Sequence, residues 1–227
     1  MISVLIGDTG FIGRHLTQGL HFDFYFNSQN IKTITNNSYD IIYCAAPTGN
    51  RLLVNQDPEK DRDNTNELIS ILSKTQTKRI VLIGTVDSLL MLNTAYGQNR
   101  KLLETFIKEN FEKHHIIRLG TLIANNIEKN LLYDLKHKQW LSSINPDSAL
   151  QWYPLENLID DIHYVIDHDI NELNLVSEPV LNLEIIQQFA PRYLNEITKK
   201  QNSVYYDVRP YKFSKQDILK HIQEYMK

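Results

Sequence analysis

The sequence predicts an α/β fold with a doubly wound parallel sheet and a small mixed α/β portion at its C-terminal end. Three observations favour this fold: short apolar runs, amphipathic helical segments that alternate with them, and a glycine-rich turn directly after the first run. The 227 residues are 42% hydrophobic, enough to bury a core in one domain with a small appendage. This composition excludes a predominantly disordered chain.

The predicted strands are short runs rich in apolar and β-branched residues, as strands covered on both faces require. They span residues 1–6, 23–26, 39–44, 79–83 and 115–119. The predicted helices carry apolar side chains at helical spacing and lie between the strands. They span residues 13–20, 61–75 and 96–110. This alternation is typical of a parallel sheet with right-handed crossovers.

After about residue 125 the alternation becomes irregular, and turn signals such as Asn145-Pro146 appear. We therefore divide the chain into a sheet domain, residues 1–124, and a small C-terminal portion, residues 125–227, from which the chain can cross back to the sheet. Residues 214–227 predict a closing amphipathic helix with Ser214 as its N-cap. Lys199-Lys200 is expected to form a solvated loop.

Composition also excludes several functions. Lys and Arg number 24 against 27 Asp and Glu, so the sequence predicts no nucleic-acid partner. The apolar runs are too short to cross a bilayer and no basic leader precedes one, so we expect a soluble, cytoplasmic chain without a membrane partner. Cys44 is the single cysteine, which excludes an internal disulfide and a thiolate zinc site. The histidines are scattered, so no metal is expected.

The glycine-rich turn follows the first strand and opens a helix, which is the context of a dinucleotide-binding loop. Gly7 permits the tight turn, Gly10 lets the backbone approach a pyrophosphate, and Gly13 lets the helix pack closely on the strand. Phe11 and Ile12 lie between the last two glycines, where the first helical amides face the phosphates. The alternative is a glycine-rich turn that binds no ligand.

The end of the second strand leaves the choice of cofactor open. A site specific for NAD normally has Asp or Glu there, which binds the adenosine ribose. This chain has Asn27 and Ser28, which neither repel a 2′-phosphate nor select strongly for a free hydroxyl. Arg14 could add positive charge nearby. NAD and NADP therefore both remain candidates, and an ordinary polar turn is an equal alternative.

The motif Gly7-x-x-Gly10-Phe11-Ile12-Gly13 resembles the start of the extended short-chain dehydrogenase/reductases, Rossmann-type enzymes that include nucleotide-sugar epimerases, dehydratases and reductases. Later segments match in family order up to about residue 165. They are Cys44-Ala45-Ala46, Asp57-Pro58 with Asn64, Tyr96-Gly97-Gln98-Asn99-Arg100 with Glu104, Arg118-Leu119-Gly120, and Trp152 to Leu155 with Asp160-Asp161. The resemblance implies that NAD or NADP contacts Gly7, Gly10, Phe11, Ile12, Gly13, Asn27, Ser28, Cys44, Ala45, Ala46, Leu119 and Gly120.

The resemblance also implies a catalytic block. In the family, a Tyr acts as general acid or base, and a Lys four residues later binds the nicotinamide ribose and lowers the pKa of the phenol. Here Tyr96 is followed by Arg100, an atypical residue that keeps the charge but is longer and planar. Positions four apart share a helix face, so we expect Arg100 to lower the pKa of Tyr96. Thr85 is the candidate hydroxyl for the substrate oxygen, while the alternative for Tyr96 is an ordinary capping aromatic.

These residues imply an NAD(P)-dependent oxidoreductase or epimerase-like enzyme that acts on a nucleotide-linked sugar in cell-surface polysaccharide synthesis. A homodimer through the helix that carries Tyr96 is also implied. A dehydratase is disfavoured because Val86 replaces its first acid. The rival is a catalytically weak or inactive NAD(P)-binding sensor or assembly protein of the same fold. Arg100 and a short connection from Thr85 to Tyr96 favour this rival.

Overall fold

The computed structural model describes residues 1–197 and 203–227, so Lys199-Lys200 lies outside the described residues. The chain divides into two compact units. Unit 1 comprises Met1–Arg118 and Ile159–Leu173, and unit 2 comprises Leu119–Leu158 and Asn174–Lys227. The first structural boundary therefore falls slightly before the one drawn from the sequence, and the chain returns to unit 1 for one helix and the start of one strand.

The strands of the described residues are short. They are β1 (Ser3–Ile6), β2 (Phe24–Phe26), β3 (Ser38–Tyr39), β4 (Ile41–Cys44), β5 (Gln76–Thr77), β6 (Ile80–Thr85), β7 (His114–Leu119), β8 (Thr121–Ile123), β9 (Ala149–Leu150), β10 (Trp152–Pro154), β11 (Glu172–Leu175) and β12 (Val180–Leu181). The helices vary from one turn to four. They are α1 (Phe11–Gly19), α2 (Arg51–Gln56), α3 (Pro58–Leu72), α4 (Asp87–Leu90), α5 (Ala95–Asn110), α6 (Leu131–His137), α7 (Leu158–Asp167), α8 (Asn182–Phe189) and α9 (Lys215–Met226).

The main sheet has six strands in the order β11-β7-β6-β4-β1-β2. Strand β1 pairs in parallel with β2 and with β4, and β4 pairs in parallel with β6. The predicted Rossmann-type α/β fold is confirmed. From β1 the chain moves to β2 on one side and then to β4 on the other, so β1 lies at a topological switch point. Ligands of open α/β sheets bind at the carboxyl ends of the strands at such a point.

Burial explains the unbroken apolar sequences of the central strands. All residues of β1 and β4 are buried, because neighbouring strands pair with them and the sheet is covered on both faces. Strand β2 lies at the edge of the sheet, and its Phe24 and Tyr25 are 43% and 39% exposed. The core of unit 1 also receives Leu103 and Ile107 from α5.

Two of the differences from the predicted element bounds have a clear structural reason. The run 39–44 is not one strand, because β3 pairs with β5 and only β4 joins the main sheet. Between them, the Asp40 carboxylate accepts a hydrogen bond from the Ile2 amide and forms an ion pair with Lys78. Helix α3 begins at Pro58 rather than at residue 61. The Asp57 side chain accepts a hydrogen bond from the Lys60 amide and caps this earlier start.

The first crossovers are compact. Helix α1 has nine residues. From β2 to β4 the chain runs through a 3₁₀ segment, Ile31–Asn36, and the short β3, with no α-helix in this fully described stretch. The glycine turn therefore lies in a reduced version of the doubly wound fold.

Unit 2 is built around its own apolar core, which includes Trp152 and residues of α6, α8 and α9. Strand β8 pairs in parallel with β10, and β12 pairs antiparallel with β9. The predicted closing helix is confirmed as α9. Its N-cap Ser214 accepts a hydrogen bond from the Asp217 amide. Of the described helices, none has the length and apolar character needed to span a membrane.

Candidate functional site: the glycine loop and the Tyr96 helix

Gly7 lies where three strands of unit 1 end. Its φ of 90° is in the region that disfavours side chains, and a Cβ there would lie 3.0 Å from the carbonyl carbon and oxygen of Ala45. Its amide donates a 2.7 Å hydrogen bond to the carbonyl of Phe26, the last residue of β2. The turn after β1 is thus held against the ends of β2 and β4. The candidate cofactor residues Gly7, Ala45 and Ala46 come together here.

The next two glycines shape the start of α1. The Gly10 amide donates to the Gly7 carbonyl at 3.0 Å, and Gly10 is the N-cap of the helix. A Cβ on Gly13 would lie only 2.0 Å from the Gly7 carbonyl oxygen, so the helix could not pack this closely with any other residue. Among the described side chains, none caps α1, which leaves its first amides available to an anion. Phe11 and Ile12 are partly exposed in this first turn.

Asp8, inside the glycine loop, carries an unsatisfied group. Its Oδ1 is buried and has no hydrogen-bond partner among the described residues. A buried acceptor without a donor costs free energy, so this atom suits a ligand that brings a donor. The sequence prediction passed over Asp8 because the fingerprint is defined by its glycines.

The turn after β2 satisfies its own polar groups. The Asn27 Oδ1 accepts a hydrogen bond from the Gln29 amide at 3.0 Å, and the Asn27 amide donates to the Asn30 Oδ1 at 2.8 Å. Ser28 is exposed. Arg14 donates a hydrogen bond to the Thr9 carbonyl of the glycine loop. The amide oxygen of Asn27 is therefore already engaged in local structure.

The remaining candidate cofactor residues divide between the units. Cys44 is fully buried, and burial raises the pKa of its thiol to about 11, so it stays a neutral core residue. Leu119 and Gly120 belong to unit 2, where the Gly120 amide donates to the Leu175 carbonyl. A Cβ on Gly120 would lie 2.7 Å from the Gln151 carbonyl oxygen, so packing within unit 2 accounts for this glycine.

Tyr96 and Arg100 share one face of α5, as their spacing predicts. Thr94 caps this helix by accepting a 3.2 Å hydrogen bond from the Gly97 amide. The Arg100 guanidinium carbon lies 4.6 Å from the centre of the Tyr96 ring, which is a cation–π contact. Both side chains are buried.

Arg100 is held by partners that the sequence analysis did not identify. Its Nη1 and Nη2 donate to the two carboxylate oxygens of Asp61 at 3.1 and 2.8 Å, and Nη2 also donates to the Thr48 carbonyl at 2.8 Å. The Asn99 side chain donates to the same carboxylate. The guanidinium is thus bound within the protein. An arginine buried in place of lysine needs a nearby carboxylate, and Asp61 in the first turn of α3 is the signal that could have indicated one.

The pKa of Tyr96 moves opposite to the expected direction. Burial raises it, and Asp87 raises it further, while Arg100 and Arg51 lower it by less, so the pKa lies above its ordinary value of 10.0. The expectation that Arg100 brings a net decrease is wrong, because removal of the phenol from water outweighs the attraction of the cation. The neutral Tyr96 can donate a proton or a hydrogen bond.

Thr85 lies at the carboxyl end of β6 and is bonded to its neighbours. Its Oγ1 accepts a 3.3 Å hydrogen bond from the Asp87 amide, and its carbonyl accepts one from Ser88 at 2.8 Å. Asp87 is buried and forms an ion pair with the half-exposed Arg51. The Arg51 guanidinium carbon lies 6.0 Å from the centre of the Tyr96 ring. Arg51 is a second cation beside Tyr96 that the sequence did not reveal.

A network of ion pairs and hydrogen bonds joins α4, α5 and β7 next to Thr85. The Ser88 hydroxyl donates to Glu104 at 2.5 Å, and Arg118 donates to both oxygens of Glu104 at 2.8 to 3.0 Å. Arg118 also pairs with Glu172 at 2.6 Å. Burial raises the pKa of Glu172, but the bonds from Lys108 and Arg118 outweigh it and hold this pKa at about 2. The residues that the structure describes include no group of three or more potential metal ligands.

Comparisons with known proteins agree with this geometry at the level of the fold. No family model matches the chain, and no curated protein matches it either. UDP-glucose 4-epimerase from Thermotoga maritima, solved with UDP-glucose, has a TM-score of 0.66 at 10% identity, covering 92% of this chain and 86% of that chain.

Two further solved structures have different activities. L-threonine dehydrogenase from Phytophthora infestans has a TM-score of 0.65 at 12% identity, covering 92% of this chain and 85% of that chain. The dTDP-4-dehydrorhamnose reductase from Bacillus anthracis, in complex with NADP, has a TM-score of 0.63 at 15% identity, covering 100% and 98%. The chain is therefore similar in fold to epimerases, dehydrogenases and reductases.

Proposed function

We propose that this protein is an NAD(P)-binding oxidoreductase or epimerase-like enzyme that acts on a nucleotide-linked sugar. The observation that carries the proposal is the glycine loop at the switch point of the sheet. Close backbone contacts leave no room for a side chain at Gly7 or Gly13. No side chain caps the first amides of α1 among the described residues, so these amides can bind a pyrophosphate. The similarity to a reductase in complex with NADP supports the same class of cofactor.

The residues of the loop suit a dinucleotide. The amides from Gly10 onward would hold the pyrophosphate, and Ala45 and Ala46 offer a small apolar surface beside Gly7 for the adenosine. When bound, the nicotinamide would supply or accept a hydride. The nucleotide-sugar substrate rests on the motif resemblance, because the fold is shared by a UDP-glucose epimerase and an L-threonine dehydrogenase and does not choose between their substrates.

In this proposal Tyr96 is the proton donor when a carbonyl is reduced. Reduction of a carbonyl requires a proton donor for the substrate oxygen, whereas oxidation of an alcohol requires a base. Tyr96 is a neutral phenol with a raised pKa, so it suits the donor role. The Thr85 hydroxyl, which accepts one hydrogen bond from Asp87, could donate its own proton in a hydrogen bond to the substrate oxygen. In this proposal Arg100 positions Tyr96 rather than binding the ribose.

The cellular setting follows from the same proposal. A reductase or epimerase of nucleotide-linked sugars in the cytoplasm would serve cell-surface polysaccharide synthesis. A homodimer would use α5, where Leu102 is only partly buried. Native mass spectrometry of the full chain tests the dimer.

A second candidate is a dinucleotide-binding protein without turnover. The specific observation in its favour is the ion pair between Arg100 and Asp61. In the resembled family, the lysine at the position of Arg100 binds the nicotinamide ribose, whereas here the cation is already bound to a carboxylate of the protein. This candidate keeps the glycine loop and its ligand but removes the chemistry.

A turnover assay separates the two candidates. Purified protein is mixed with NADH or NADPH and a dTDP-linked 4-keto sugar, and the loss of reduced cofactor is followed by absorbance. A reductase would oxidise the cofactor only when the sugar is present. An epimerase returns its hydride and causes no net loss of reduced cofactor, so a second assay follows the conversion of a UDP-linked sugar into its 4-epimer in the presence of NAD. Tight cofactor binding with neither sugar-dependent oxidation nor epimerisation would favour the binding protein.

A further inference from the structure

Asp8 is the one acidic residue in the Gly7–Gly13 loop, and one of its carboxylate oxygens lacks a hydrogen-bond donor within the part of the chain that the structure describes. Its Oδ1 is buried and finds no donor in the described parts of the chain, 1–197 and 203–227. An unsatisfied buried carboxylate oxygen costs more than a neutral acceptor would. A ligand that brings a hydroxyl donor would remove that cost.

The loop places Asp8 beside the end of β2. The preceding residue, Gly7, donates its amide proton to the carbonyl of Phe26, the final residue of that strand. In dinucleotide-binding folds, the end of the second strand is where an acidic side chain binds the adenosine ribose. Asp8 therefore brings a carboxylate to this place from a different segment of the chain.

The end of β2 itself does not supply that carboxylate. Residues 27–30 are Asn, Ser, Gln and Asn. The Asn27 Oδ1 accepts from the Gln29 amide, and the Asn30 Oδ1 accepts from the Asn27 amide, so both oxygens stabilise the turn. The Asp8 Oδ1, in contrast, is buried and has no donor among the described residues.

We propose that Asp8 accepts a hydrogen bond from the adenosine ribose and selects NAD(H) over NADP(H). This inference rests on the proposed dinucleotide function and goes further, because it assigns the choice between the two cofactors to one residue of the loop. A free 2′-hydroxyl donates a hydrogen bond to the carboxylate. A 2′-phosphate places negative charge beside it and offers no comparable donor. Arg14 of α1, whose guanidinium donates a hydrogen bond to the Thr9 carbonyl of the loop, is a cation that could oppose this preference.

Calorimetric titration with NADH and with NADPH tests the inference on the parent protein and on Asp8→Asn. The parent should bind NADH at least about tenfold more tightly, the scale of one hydrogen bond to a charged group. Asp8→Asn should weaken NADH binding and strengthen NADPH binding, so that the two affinities come within about threefold. Asp63→Asn, which removes an exposed carboxylate on α3, should leave the parent's ratio unchanged.

The outcomes separate this inference from the proposed function. Equal binding of both cofactors by the parent, or the same ratio in Asp8→Asn as in the parent, would overturn the role of Asp8 while the dinucleotide site stands. Binding of both cofactors by Asp8→Asn but of neither by the parent would also overturn it, since Asp8 would then repel the pyrophosphate. Failure of every folded variant to bind either cofactor would instead remove the proposed function. Thermal melting establishes that each variant is folded.

Discussion

The glycine loop and the Tyr96 helix lie in the same unit but differ in how well the sequence predicted them. The loop has the backbone geometry that its glycines predict, whereas Arg100 on the helix has partners that the sequence did not indicate. At the loop, backbone geometry sets the requirements: Gly7 needs its positive φ, and Gly13 needs the space that a Cβ would fill. At the helix, side chains set them, and Arg100 is bound by Asp61 and by the Thr48 carbonyl. A site built from backbone can be predicted from local sequence, whereas a site built from side chains depends on partners that are distant in the sequence.

The largest expected effect is a loss of stability when the carboxylate that holds Arg100 is removed. Asp61→Asn should lower the free energy of unfolding by about 3 kcal/mol, because it leaves the buried Arg100 charge without its counterion. Urea denaturation measures the change. Glu67→Gln, which breaks the exposed pair with Lys32, is the matched control and should change stability by less than about 0.5 kcal/mol.

A double variant sharpens this result. Combining Asp61→Asn with Arg100→Met removes both charges, so it should recover part of the lost stability. If Asp61→Asn costs less than about 1 kcal/mol, the pair does not hold Arg100 in place and the contrast with the loop disappears.

The next effect concerns turnover. If the protein reduces a nucleotide-linked keto sugar, Tyr96→Phe should lower the rate at least about a hundredfold, because the substrate oxygen loses its proton donor. Cofactor affinity, measured by calorimetry, should change by less than about threefold. Tyr164→Phe, at a half-exposed position on α7, serves as the control. Equal rates for Tyr96→Phe and the parent would remove Tyr96 from the chemistry.

Acidification should have a smaller effect, located away from both sites. His115 is buried on β7, where its Nδ1 donates to the Ile170 carbonyl, and burial lowers the pKa of its ring below 6.5. The unfolded chain therefore takes up the proton first. The stability from the neutral ring is complete above about pH 6.5 and is lost as the pH falls below it, by at most about 1.4 kcal/mol per pH unit.

Urea melts between pH 7.5 and pH 5.0 test this dependence. His115→Gln should flatten the slope of stability against pH, whereas His168→Gln, at an exposed position, should retain it. A slope in His115→Gln equal to that of the parent would assign the pH dependence to other groups.

The sheet was largely predictable because its order follows from apolar runs. The short apolar runs that form β1 and β4 indicate central strands, and both strands are fully buried. The glycines after β1 indicate the switch point. The split between β3 and β4 was not predictable. Asp40 carries one charge in an otherwise apolar run, and only the fold shows that Lys78 and the Ile2 amide surround it.

The candidate site was predictable in part. The spacing of Tyr96 and Arg100 correctly indicates that their side chains meet. The direction of the phenol pKa was not predictable, since it depends on how deeply α5 is buried and on Arg51 and Asp87, which come from two other helices. The unsatisfied Oδ1 of Asp8 was not predictable for a similar reason, because the spacing of a motif carries no information about which acceptors find donors.

Calorimetric titration of Gly10→Val with NADH and NADPH tests the central claim, that the glycine loop binds a dinucleotide. A Cβ at Gly10 would meet only the Gly7 carbonyl, at 3.2 Å, so the variant should fold, yet its side chain would stand between the loop and a pyrophosphate. Gly49→Val is the control, since a Cβ there has no described atom within 4 Å. We expect the parent and Gly49→Val to bind each cofactor with equal affinity, and folded Gly10→Val to bind at least about a hundredfold more weakly. Binding by folded Gly10→Val with the affinity of the parent would contradict it.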